Sequence, residues 1–425
     1  MQLIENMPVF GTHDEKTLAQ LRDVAQRASR VALMADGHLG YIMPVGGVAA
    51  YKNKVSVAGV GFDIACGNAA IRTNLKLESI TYGISLDDAI SNPHRLASDT
   101  ILNAFADVIA STISFGIGRK NEANDAPVDD PLFLDDAWYG IPNEGRYRDD
   151  LRDKARRQLG TVGSGNHYVD VFADETGTVW VGVHFGSRGL GHTIATNFFA
   201  LAQGGRWGER AKEVEALLDL DTPIGHDYWQ LMELAGRYAY AGREWVARKV
   251  VSMLGGIEVE LVHNHHNFAW KENLGHHHDE ELVVVRKGAT PAYPGQKGFV
   301  GGSMGDNAVI LEGAQDGPPD TMHLAMWSTV HGAGRVMSRT EAAGKRHRKT
   351  GRVIKPGKIS PEDMQGWLRQ TGVVLRGAGL DEAPQAYRRL PDVLEQQGPT
   401  VRVLHQLKPV IVVMAGANEF DPYKE

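Results

Sequence analysis

Glycine is the residue that most limits the folds open to this chain. The sequence contains 49 glycines among 425 residues, and many of them interrupt short apolar runs. Glycine weakens the interior of a helix but allows tight turns, so this content argues against a helical bundle. It favours a fold rich in turns and in loops whose backbone can approach a phosphate group closely.

Helical and strand patterns alternate along the chain. Apolar spacing predicts a helix over residues 12–30, capped by Thr12 or Asp14, and helical segments over residues 194–204 and 224–254. Strands are predicted within residues 31–72 and over residues 179–184, 282–285, 308–311, 373–375 and 410–414. Two short helices, over residues 361–370 and 383–396, and a surface loop over residues 127–147 complete the prediction.

These patterns predict a mixed α+β protein. We expect one large domain over residues 1–425, with a β-sheet core, surrounding helices and a central helical insertion at about residues 193–256. Because the candidate functional segments lie in both halves, the site must be assembled from the whole chain.

Charge and cysteine content restrict the function and the compartment. The formal net charge is −7, so a nucleic-acid site has to be a local patch on an acidic body. A single cysteine excludes an intramolecular disulfide and fits a reducing compartment. The N-terminus lacks the pattern of a signal peptide, and no apolar run approaches the roughly 20 residues of a membrane helix. We therefore expect a soluble, cytoplasmic protein.

Six residues suited to metal or phosphate chemistry lie in five short segments, most of them glycine-rich. The six residues are Asp63, Cys66, His167, His184, His266 and His331. One thiolate, one carboxylate and several imidazoles can hold one transition metal, or two metals that share the sulfur. The cysteine lies in the most motif-like segment, Gly61-Phe62-Asp63-Ile64-Ala65-Cys66-Gly67.

These candidates also have purely structural explanations. Cys66 could be a small buried hydrophobic residue, and a histidine after a turn, such as His167, is more often structural than a ligand. The glycines after His184 could let Arg188 and backbone N–H groups hold a phosphate, or could form a plain loop. Spacing does not reveal which histidine ring of residues 263–267 points inward. The run His276-His277-His278 is expected to be a solvated loop with adventitious metal affinity.

His331 precedes a glycine-rich turn and an arginine, in His331-Gly332-Ala333-Gly334-Arg335. A histidine nucleophile that attacks phosphorus would use this arrangement, and a simple turn before a helix over residues 337–343 is the alternative. A basic stretch follows, either as solvated surface or as a contact for a phosphate backbone. Its members are Arg335, Arg339, Lys345, Arg346, Arg348, Lys349, Arg352, Lys355 and Lys358.

Taken together, these segments resemble the RtcB family of RNA-splicing ligases. The resemblance runs in the family's order along nearly the whole chain, and seven ordered motifs are specific although each motif alone is weak. Besides residues 61–67, the motifs are Gly163-Ser164-Gly165-Asn166-His167, His184-Phe185-Gly186-Ser187-Arg188-Gly189-Leu190-Gly191, His265-His266-Asn267, Arg286-Lys287-Gly288-Ala289, Gly302-Ser303-Met304-Gly305 and His331-Gly332-Ala333-Gly334-Arg335.

The resemblance implies a GTP-dependent ligase that joins an RNA 2′,3′-cyclic phosphate or 3′-phosphate to a 5′-hydroxyl. Two Mn²⁺ ions, or other divalent transition metals, would be its cofactors together with GTP. Cys66 would bridge the metals, Asp63 and His167 would complete one metal site, and His184 and His266 would complete the other. His331 would take up GMP. Such a ligand set intrinsically binds zinc more tightly than manganese, so the bound metal depends on supply and geometry.

The same resemblance implies a nucleotide and RNA site. The nucleotide-binding residues would be Asn166, Asp170, Asn267, Gly302, Ser303, Met304, Gly332, Gly334 and Tyr387, and the RNA phosphate contacts would be Arg188, Arg335 and Arg339.

The chain departs from the family's pattern at several places. Asp170 stands where the family often has Glu, Gly301 replaces a Pro and Ala308 replaces a Ser. The family usually ends in Lys-Gly, whereas here Ala415-Gly416 is followed by a tail over residues 417–425. Asp170, Ala308 and Ala415 fall at positions expected to contact the base, so guanine selection is expected to be weaker.

Two other functions fit the same residues. A metal-dependent phosphoesterase would need no covalent nucleotide, and His331 with its turn argues against it. A non-catalytic RNA-end-binding paralogue would fit the altered guanine pocket, but the presence of all six chemical residues argues against it. The expected partners are RNA with 3′-phosphate or cyclic phosphate and 5′-hydroxyl ends, and an archease-like activator. We expect a monomer and no membrane association.

Overall fold

The computed structural model of the protein describes residues 1–212, 214–274, 281–346, 350, 352–417 and 419. Its α-helices are α1 (Glu15–Ala25), α2 (Val57–Val60), α3 (Leu86–Ser91), α4 (Pro93–Ala97), α5 (Thr100–Thr112), α6 (Tyr147–Gln158), α7 (Arg188–Ala202), α8 (Pro223–Met253), α9 (Pro319–Leu324), α10 (Arg339–Ala343), α11 (Pro361–Thr371) and α12 (Leu390–Gln397). Short 3₁₀ helices cover Leu77–Ile80, Pro131–Leu134, Asp136–Gly140, Glu144–Arg146, Leu380–Glu382 and Pro384–Ala386.

The strands of the described chain form two large sheets and three isolated pairs. They are β1 (Gln2–Ile4), β2 (Met7–Val9), β3 (Arg30–His38), β4 (Val45–Tyr51), β5 (Lys54–Ser56), β6 (Gly67–Lys76), β7 (Tyr168–Ala173), β8 (Thr178–Phe185), β9 (Leu217–Asp219), β10 (Glu258–His265), β11 (Asn267–Asn273), β12 (Glu281–Lys287), β13 (Ala289–Pro291), β14 (Lys297–Val300), β15 (Ala308–Gly313), β16 (Ser328–Val330), β17 (Lys345–Arg346), β18 (Val353–Lys355), β19 (Val374–Ala378) and β20 (Val401–Gly416).

The two large sheets are mostly antiparallel. One has six strands in the order β1-β2-β3-β4-β12-β11, and β2 and β3 are its parallel pair. The other has eight strands in the order β10-β6-β8-β7-β20-β15-β14, with β19 parallel to β20. The isolated pairs are β13 with β16, β17 with β18, and β5 with β9.

Helix α8 packs on strands β6 and β8 of the eight-stranded sheet. Thr222 caps its first turn by accepting a hydrogen bond from the Gly225 N–H, and Pro223 follows where a missing N–H is tolerated. Apolar spacing along 31 residues buries one face, including Tyr228, Tyr238 and Val246. The helix therefore covers the sheet behind the strand ends that carry the candidate residues.

The α+β class is confirmed, and most predicted elements are present with shifted ends. The predicted helix over residues 12–30 is shorter (Glu15–Ala25), and Asp14 caps it by accepting a hydrogen bond from the Thr17 N–H at 2.8 Å. Residues 193–256 contain β9, α8 and most of α7. That they form an insertion within a single domain stays a prediction.

Two predicted elements are wrong. Residues 127–147 are not a plain surface loop, because two 3₁₀ turns bury Phe133 and Trp138 in the core. Residues 383–396 are not one helix, because residues 387–389 separate a 3₁₀ turn at Pro384–Ala386 from α12. Helices α5 and α6 are not among the predicted elements. The run of residues 276–278 and most of the 417–425 tail lie outside the described residues.

Within the described residues, no helix combines the length and the apolar character needed to cross a membrane.

Candidate active site

Four strand ends of the eight-stranded sheet meet at one place. Strand β6 begins at Gly67, which pairs with Phe185 at the end of β8 and with His265 at the end of β10. Strand β7 begins at Tyr168, opposite His184 of β8. Because antiparallel neighbours set the start of one strand beside the end of the next, the residues flanking these ends are brought together.

His266 is the one residue between β10 and β11, where the chain passes from the eight-stranded sheet to the six-stranded sheet. Its backbone N–H donates to the Cys66 carbonyl at 2.8 Å, and the Asn267 carbonyl accepts from the Ala65 N–H at 2.8 Å. These hydrogen bonds hold the cysteine segment against the crossing between the two sheets.

A cavity of about 310 Å³ lies at this crossing. It brings together most of the predicted site residues from both halves of the chain. Those that line it are Asp63, Cys66, Asn166, Asp170, His184, His266, Asn267, Gly302, Ser303, Met304, His331, Gly332, Gly334, Arg335, Arg339 and Tyr387.

Cys66, His167 and His184 form a compact group whose ligand atoms all lie within 4.8 Å of one another. The Cys66 sulfur lies 3.7 Å from Nε2 of each histidine. Asp63 Oδ2 lies 3.1 Å from His167 Nε2. Gly186 makes room for this carboxylate, since a Cβ there would lie 2.2 Å from Asp63 Oδ1.

Asn68 orients the ring of His184. Its amide Nδ2 donates to the Phe299 carbonyl at 2.8 Å, which turns its Oδ1 towards His184 Nδ1 at 2.7 Å. His184 Nδ1 therefore donates, and Nε2 keeps a lone pair on the side of the Cys66 sulfur. A second group that fixes the tautomer of a metal-ligating histidine is a recurring feature of metal sites.

The three histidines of residues 263–266 have different surroundings. His263 and His265 both contact Arg243, at 2.9 and 2.8 Å, and the His265 ring stacks on Tyr240. His266 instead lines the cavity, stacks on His184 and contacts the edge of His331. The structure thus resolves the question that spacing leaves open, and His266 is the inward ring.

Burial sets the protonation of this cluster. It lowers the pKa of His184 and of His266 well below the ordinary value, so both imidazoles are neutral at neutral pH. It raises the pKa of the Cys66 thiol, with a further increase from the nearby Asp63 carboxylate. Burial also opposes ionisation of Asp63, but the hydrogen bond and charge of His167 outweigh it and lower that pKa to about 2.

The donor set fits a transition metal ion. Two imidazoles, a carboxylate and a sulfur converge, and buried Nδ1 of His266 has no hydrogen-bond partner in the described chain. A bound metal would also ionise the Cys66 thiol, since a thiol loses its proton when it coordinates a metal.

His331 lies across the His266 ring from this cluster, with ring centroids 4.9 Å apart. Its Nδ1 is 2.6 Å from Oδ2 of Asp36, a close polar contact. The same oxygen accepts the N–H groups of His331 and Gly332, at 3.0 and 3.2 Å. Burial acts to raise the pKa of Asp36, but the charge and N–H groups of His331 outweigh it, so the carboxyl is ionised.

Arg335, Arg339 and Tyr387 belong to a buried ionic network on another wall. Arg335 contacts Glu382 and donates to the Tyr387 hydroxyl at 2.7 Å, while Arg339 contacts Asp381 and Glu382. The Tyr387 hydroxyl also contacts Glu382. The guanidinium groups of Arg335 and Arg339 therefore line the cavity and also pair with the buried carboxylates of Asp381 and Glu382.

Four predicted residues do not line the cavity, as far as the chain is described. His167 lies behind Asp63 and Cys66, and Arg188 donates to the Gly116 carbonyl at 3.2 Å. Ala308 is buried against Phe172, Trp180 and Phe299, and Ala415 is likewise absent from the lining. The chain departs from the family's pattern at three positions expected to contact the base, and Asp170 is the one among them that lines the cavity.

The basic stretch forms α10 and the hairpin β17–β18. Lys345, Arg352 and Lys355 are exposed there, and Lys358 pairs with Glu341. Arg348 and Lys349 lie outside the described residues.

Sequence reasoning missed Asp36, Asn68, Tyr168 and Arg243. Asp36 and Asn68 stand inside the buried strands β3 and β6, and Arg243 is fully buried on α8. Arg243 donates to the carbonyls of Ala65 and Phe185, next to Cys66 and His184. A polar residue within a buried apolar pattern was the signal available, because such groups need partners.

A family model described as "tRNA-splicing ligase RtcB" matches residues 16–415. The RNA-splicing ligase RtcB of Escherichia coli (strain K12) is 31% identical over 411 residues, which cover 90% of this chain and 89% of that protein. The tRNA-splicing ligase RtcB of Archaeoglobus fulgidus is 30% identical over 454 residues, with 88% and 87% covered. That of Thermococcus kodakarensis is 29% identical over 471 residues, with 93% and 88% covered.

Proposed function

Because the chain belongs to the RtcB family of RNA-splicing ligases, we propose that it is a GTP- and metal-dependent RNA ligase. It joins an RNA 2′,3′-cyclic phosphate or 3′-phosphate end to a 5′-hydroxyl end through a covalent histidine–GMP intermediate. The observation that carries the proposal is the position of His331, between the Asp36 carboxylate and the cluster that includes His266.

Asp36 supports His331 as the nucleophile. A carboxylate at Nδ1 favours the tautomer with its proton on that nitrogen and leaves the Nε2 lone pair free to attack. The bond from Nε2 to the α-phosphorus of GTP forms while the bond to the bridging oxygen breaks, and pyrophosphate leaves with the electron pair. Asp36 balances the positive charge that develops on the ring.

A 2′,3′-cyclic phosphate must first be opened by water to the 3′-phosphate. An oxygen of the RNA 3′-phosphate then bonds to the phosphorus of GMP while the bond to His331 Nε2 breaks, and the 3′-phosphate becomes an activated electrophile. The 5′-hydroxyl of the second RNA end attacks this phosphate, the new phosphodiester forms, and GMP leaves. Asn166, Asn267 and the backbone of residues 302–304 line the cavity where the nucleotide phosphates and base would be bound.

Asp63, Cys66, His167, His184 and His266 would hold two divalent transition metal ions, which we propose to be Mn²⁺. When bound, the metals neutralise phosphate charge and orient the in-line attack. The convergent donors and the neutral imidazoles of His184 and His266 support this part of the proposal.

RNA carrying these two kinds of end is the proposed partner, and Arg188, Arg335 and Arg339 are proposed to contact its phosphates. We further propose that the protein is monomeric and cytoplasmic, and that an archease-like activator assists it. The role of the activator is tested by counting ligations per protein molecule: a few turnovers are expected without the activator and many with it.

The decisive experiment incubates the purified protein with Mn²⁺ and GTP labelled on the α-phosphate, followed by a denaturing gel, with labelled ATP in parallel. A labelled, acid-labile protein band is expected for the wild type and for His405→Ala, a histidine paired with Glu175 outside the cavity. His331→Ala should give no band. No band in any metal-loaded sample would refute nucleotidyl transfer and favour a phosphoesterase or an RNA-end-binding protein.

A further inference from the structure

A second cavity, of about 430 Å³, lies beside the catalytic cavity. Met414 of β20 lines both cavities, so they meet at this side chain. The metal and nucleophile chemistry proposed above uses no residue of the second cavity. The polar side chains that line it are Ser111, Ser114, Arg119, Lys120, Glu122, Arg376 and Glu419.

One wall of the second cavity is bonded to the loop that carries His167. The Val162 N–H donates to the Ser114 carbonyl at 2.8 Å, and the Gly116 N–H donates to the Val162 carbonyl at 3.0 Å. Arg188 donates to the Gly116 carbonyl at 3.2 Å. The second cavity therefore lies next to the metal-ligand loop and next to Arg188, which is proposed to contact RNA phosphates.

The lining of the second cavity is basic apart from two carboxylates. Its cations are Arg119, Lys120 and Arg376, and its carboxylates are Glu122 and Glu419. Arg376 is also held by Asp107, whose carboxylate lies 2.6 Å from its Nε. Arg119 and Lys120 are exposed, so a ligand can reach both of them. Guanidinium and ammonium groups are the side chains that bind a phosphate group most strongly.

The carboxylate of Glu419 occupies this basic position in the structure. Its Oε1 lies 2.5 Å from Nη2 of Arg119. Gly116 leaves room for it, since a Cβ there would be 3.1 Å from Glu419 Oε2. The Glu419 N–H donates to the Gly416 carbonyl at 2.9 Å, so a turn follows β20. A residue of the C-terminal tail thus fills a site whose chemistry suits an anion from outside.

This ion pair is weak enough to be exchanged for a phosphate. The Arg119 side chain is 56% exposed and the Glu419 side chain is 28% exposed. Exposed ion pairs contribute little to stability because water screens them. An RNA strand, by contrast, presents a negative charge at every nucleotide. Residues 417–425 contain three acids and one base, so RNA also repels the tail once the carboxylate is displaced.

We propose that the second cavity binds a phosphate of the RNA strand away from its reacting end, and that Glu419 occupies this phosphate position until RNA displaces it. The contact favours RNA long enough to reach both cavities, and the tail opposes it. Because the tail is one of this chain's departures from the family's pattern, the competition is a property of this chain. The inference rests on the proposed function in one respect, namely that the catalytic cavity binds an RNA end.

The test measures equilibrium binding of a short single-stranded RNA with a 3′-phosphate, in Mn²⁺ and without GTP so that no bond forms. Glu419→Gln keeps the shape of the side chain and removes its charge, so RNA should bind about twofold to fivefold more tightly. Arg119→Ala should weaken binding by about threefold or more. Glu258→Gln is the matched control and should change nothing, because Glu258 pairs with Arg248 at similar exposure and lines neither cavity.

A double substitution separates exchange at Arg119 from long-range repulsion. Glu419→Gln should tighten RNA binding in the wild type but much less in Arg119→Ala, where no pair remains to be broken. An equal gain in both backgrounds, or in Glu258→Gln, would show repulsion by net charge alone and overturn the proposal.

The length of the probe locates the effect. A nucleoside 3′-phosphate is too short to reach from the catalytic cavity into the second cavity, so it should bind equally to the wild type and to Glu419→Gln. A gain for this probe as large as the gain for RNA would place the effect in the catalytic cavity and contradict the proposal.

Covalent labelling of His331 by GTP reports on the proposed function and should be the same in all of these variants. Absence of label with RNA binding that depends on Glu419 would refute nucleotidyl transfer and leave this inference standing. Normal label with no effect of Glu419→Gln on RNA binding would support nucleotidyl transfer and overturn the inference.

Discussion

The two ends of the cavity differ in how their side chains are held. At the reacting end, Asn68 contacts Nδ1 of His184 at 2.7 Å, and Asp36 contacts Nδ1 of His331 at 2.6 Å. At the opposite end, the Tyr168 hydroxyl and Asp170 Oδ1 have no partner in the described chain. Three other buried atoms at the reacting end, Nδ1 of His167, Nδ1 of His266 and Oδ1 of Asp36, also lack a hydrogen-bond partner in the described chain, and both of these rings are proposed to meet a metal ion.

This difference separates two kinds of interaction. Reacting groups need one tautomer and one orientation before the substrate arrives, and neighbouring side chains supply both. Groups that recognise a base are completed by the base itself. Changes at the reacting end should therefore affect rate or metal binding, and changes at the other end should affect nucleotide affinity.

Cys66→Ala should have the largest effect. It removes the sulfur that lies between His167 and His184, so we expect metal content to fall and ligation to decrease at least about a hundredfold, since even outer-shell changes cost 10–100-fold. Metal analysis and ligation rates check this, and loss of thiolate-to-cobalt absorbance in Co²⁺-loaded protein gives a second readout. Ligation at the wild-type rate would exclude the dinuclear site.

Asp36→Asn should slow nucleotidyl transfer about a hundredfold or more, because an amide no longer favours the required tautomer of His331. The rate of labelling by α-labelled GTP is the measurement, and GTP affinity should change little. Asp174→Asn is a control, because the buried Asp174 carboxylate lies outside the cavity and accepts hydrogen bonds from Trp180 and Thr176. Equal rates in both variants would mean that Asp36 only stabilises the turn.

Asn68→Ala should weaken metal binding about 10–100-fold while preserving the fold, because His184 loses the group that orients its ring. Titration with Co²⁺ or Mn²⁺ measures the effect. Asn103→Ala, on helix α5, is the control, because it removes a partly buried amide that donates to the Asp99 carbonyl outside the metal cluster. Unchanged metal affinity would show that the ring is held by stacking alone.

Replacing Lys345, Arg352 and Lys355 by alanine should have the smallest effect. These exposed residues of the hairpin β17–β18 are expected to contact RNA phosphates, each adding about 0.7 to the slope of log affinity against log salt. RNA binding should weaken several-fold with a shallower slope, while labelling by GTP stays the same. Exposed Lys16, Lys52 and Lys54 form the control triple, and an equal loss there would indicate non-specific attraction.

Local patterns predicted the fold best where one element buries a regular face. Helix α8 was predicted almost to its ends because its apolar period persists over 31 residues. Residues 127–147 were predicted wrongly because Asp, Pro and Gly dominate the segment, while the few apolar side chains that enter the core, such as Phe133 and Trp138, are outnumbered. The average composition of a segment does not show which of its individual side chains are buried in the core.

The sequence by itself determined the family, from the order of its mostly glycine-rich segments. It also predicted the residues that are proposed to carry the chemistry: a lone cysteine, several histidines and an aspartate. Tertiary structure alone decided which of them meet. Asp63, Cys66, His167 and His184 converge because β6, β8 and β7 are neighbours in one sheet, and His266 turns inward because the chain changes sheets there. Asp36 reaches His331 across about 300 positions of sequence. Such pairings depend on long-range strand order and packing, which local periodicity does not encode.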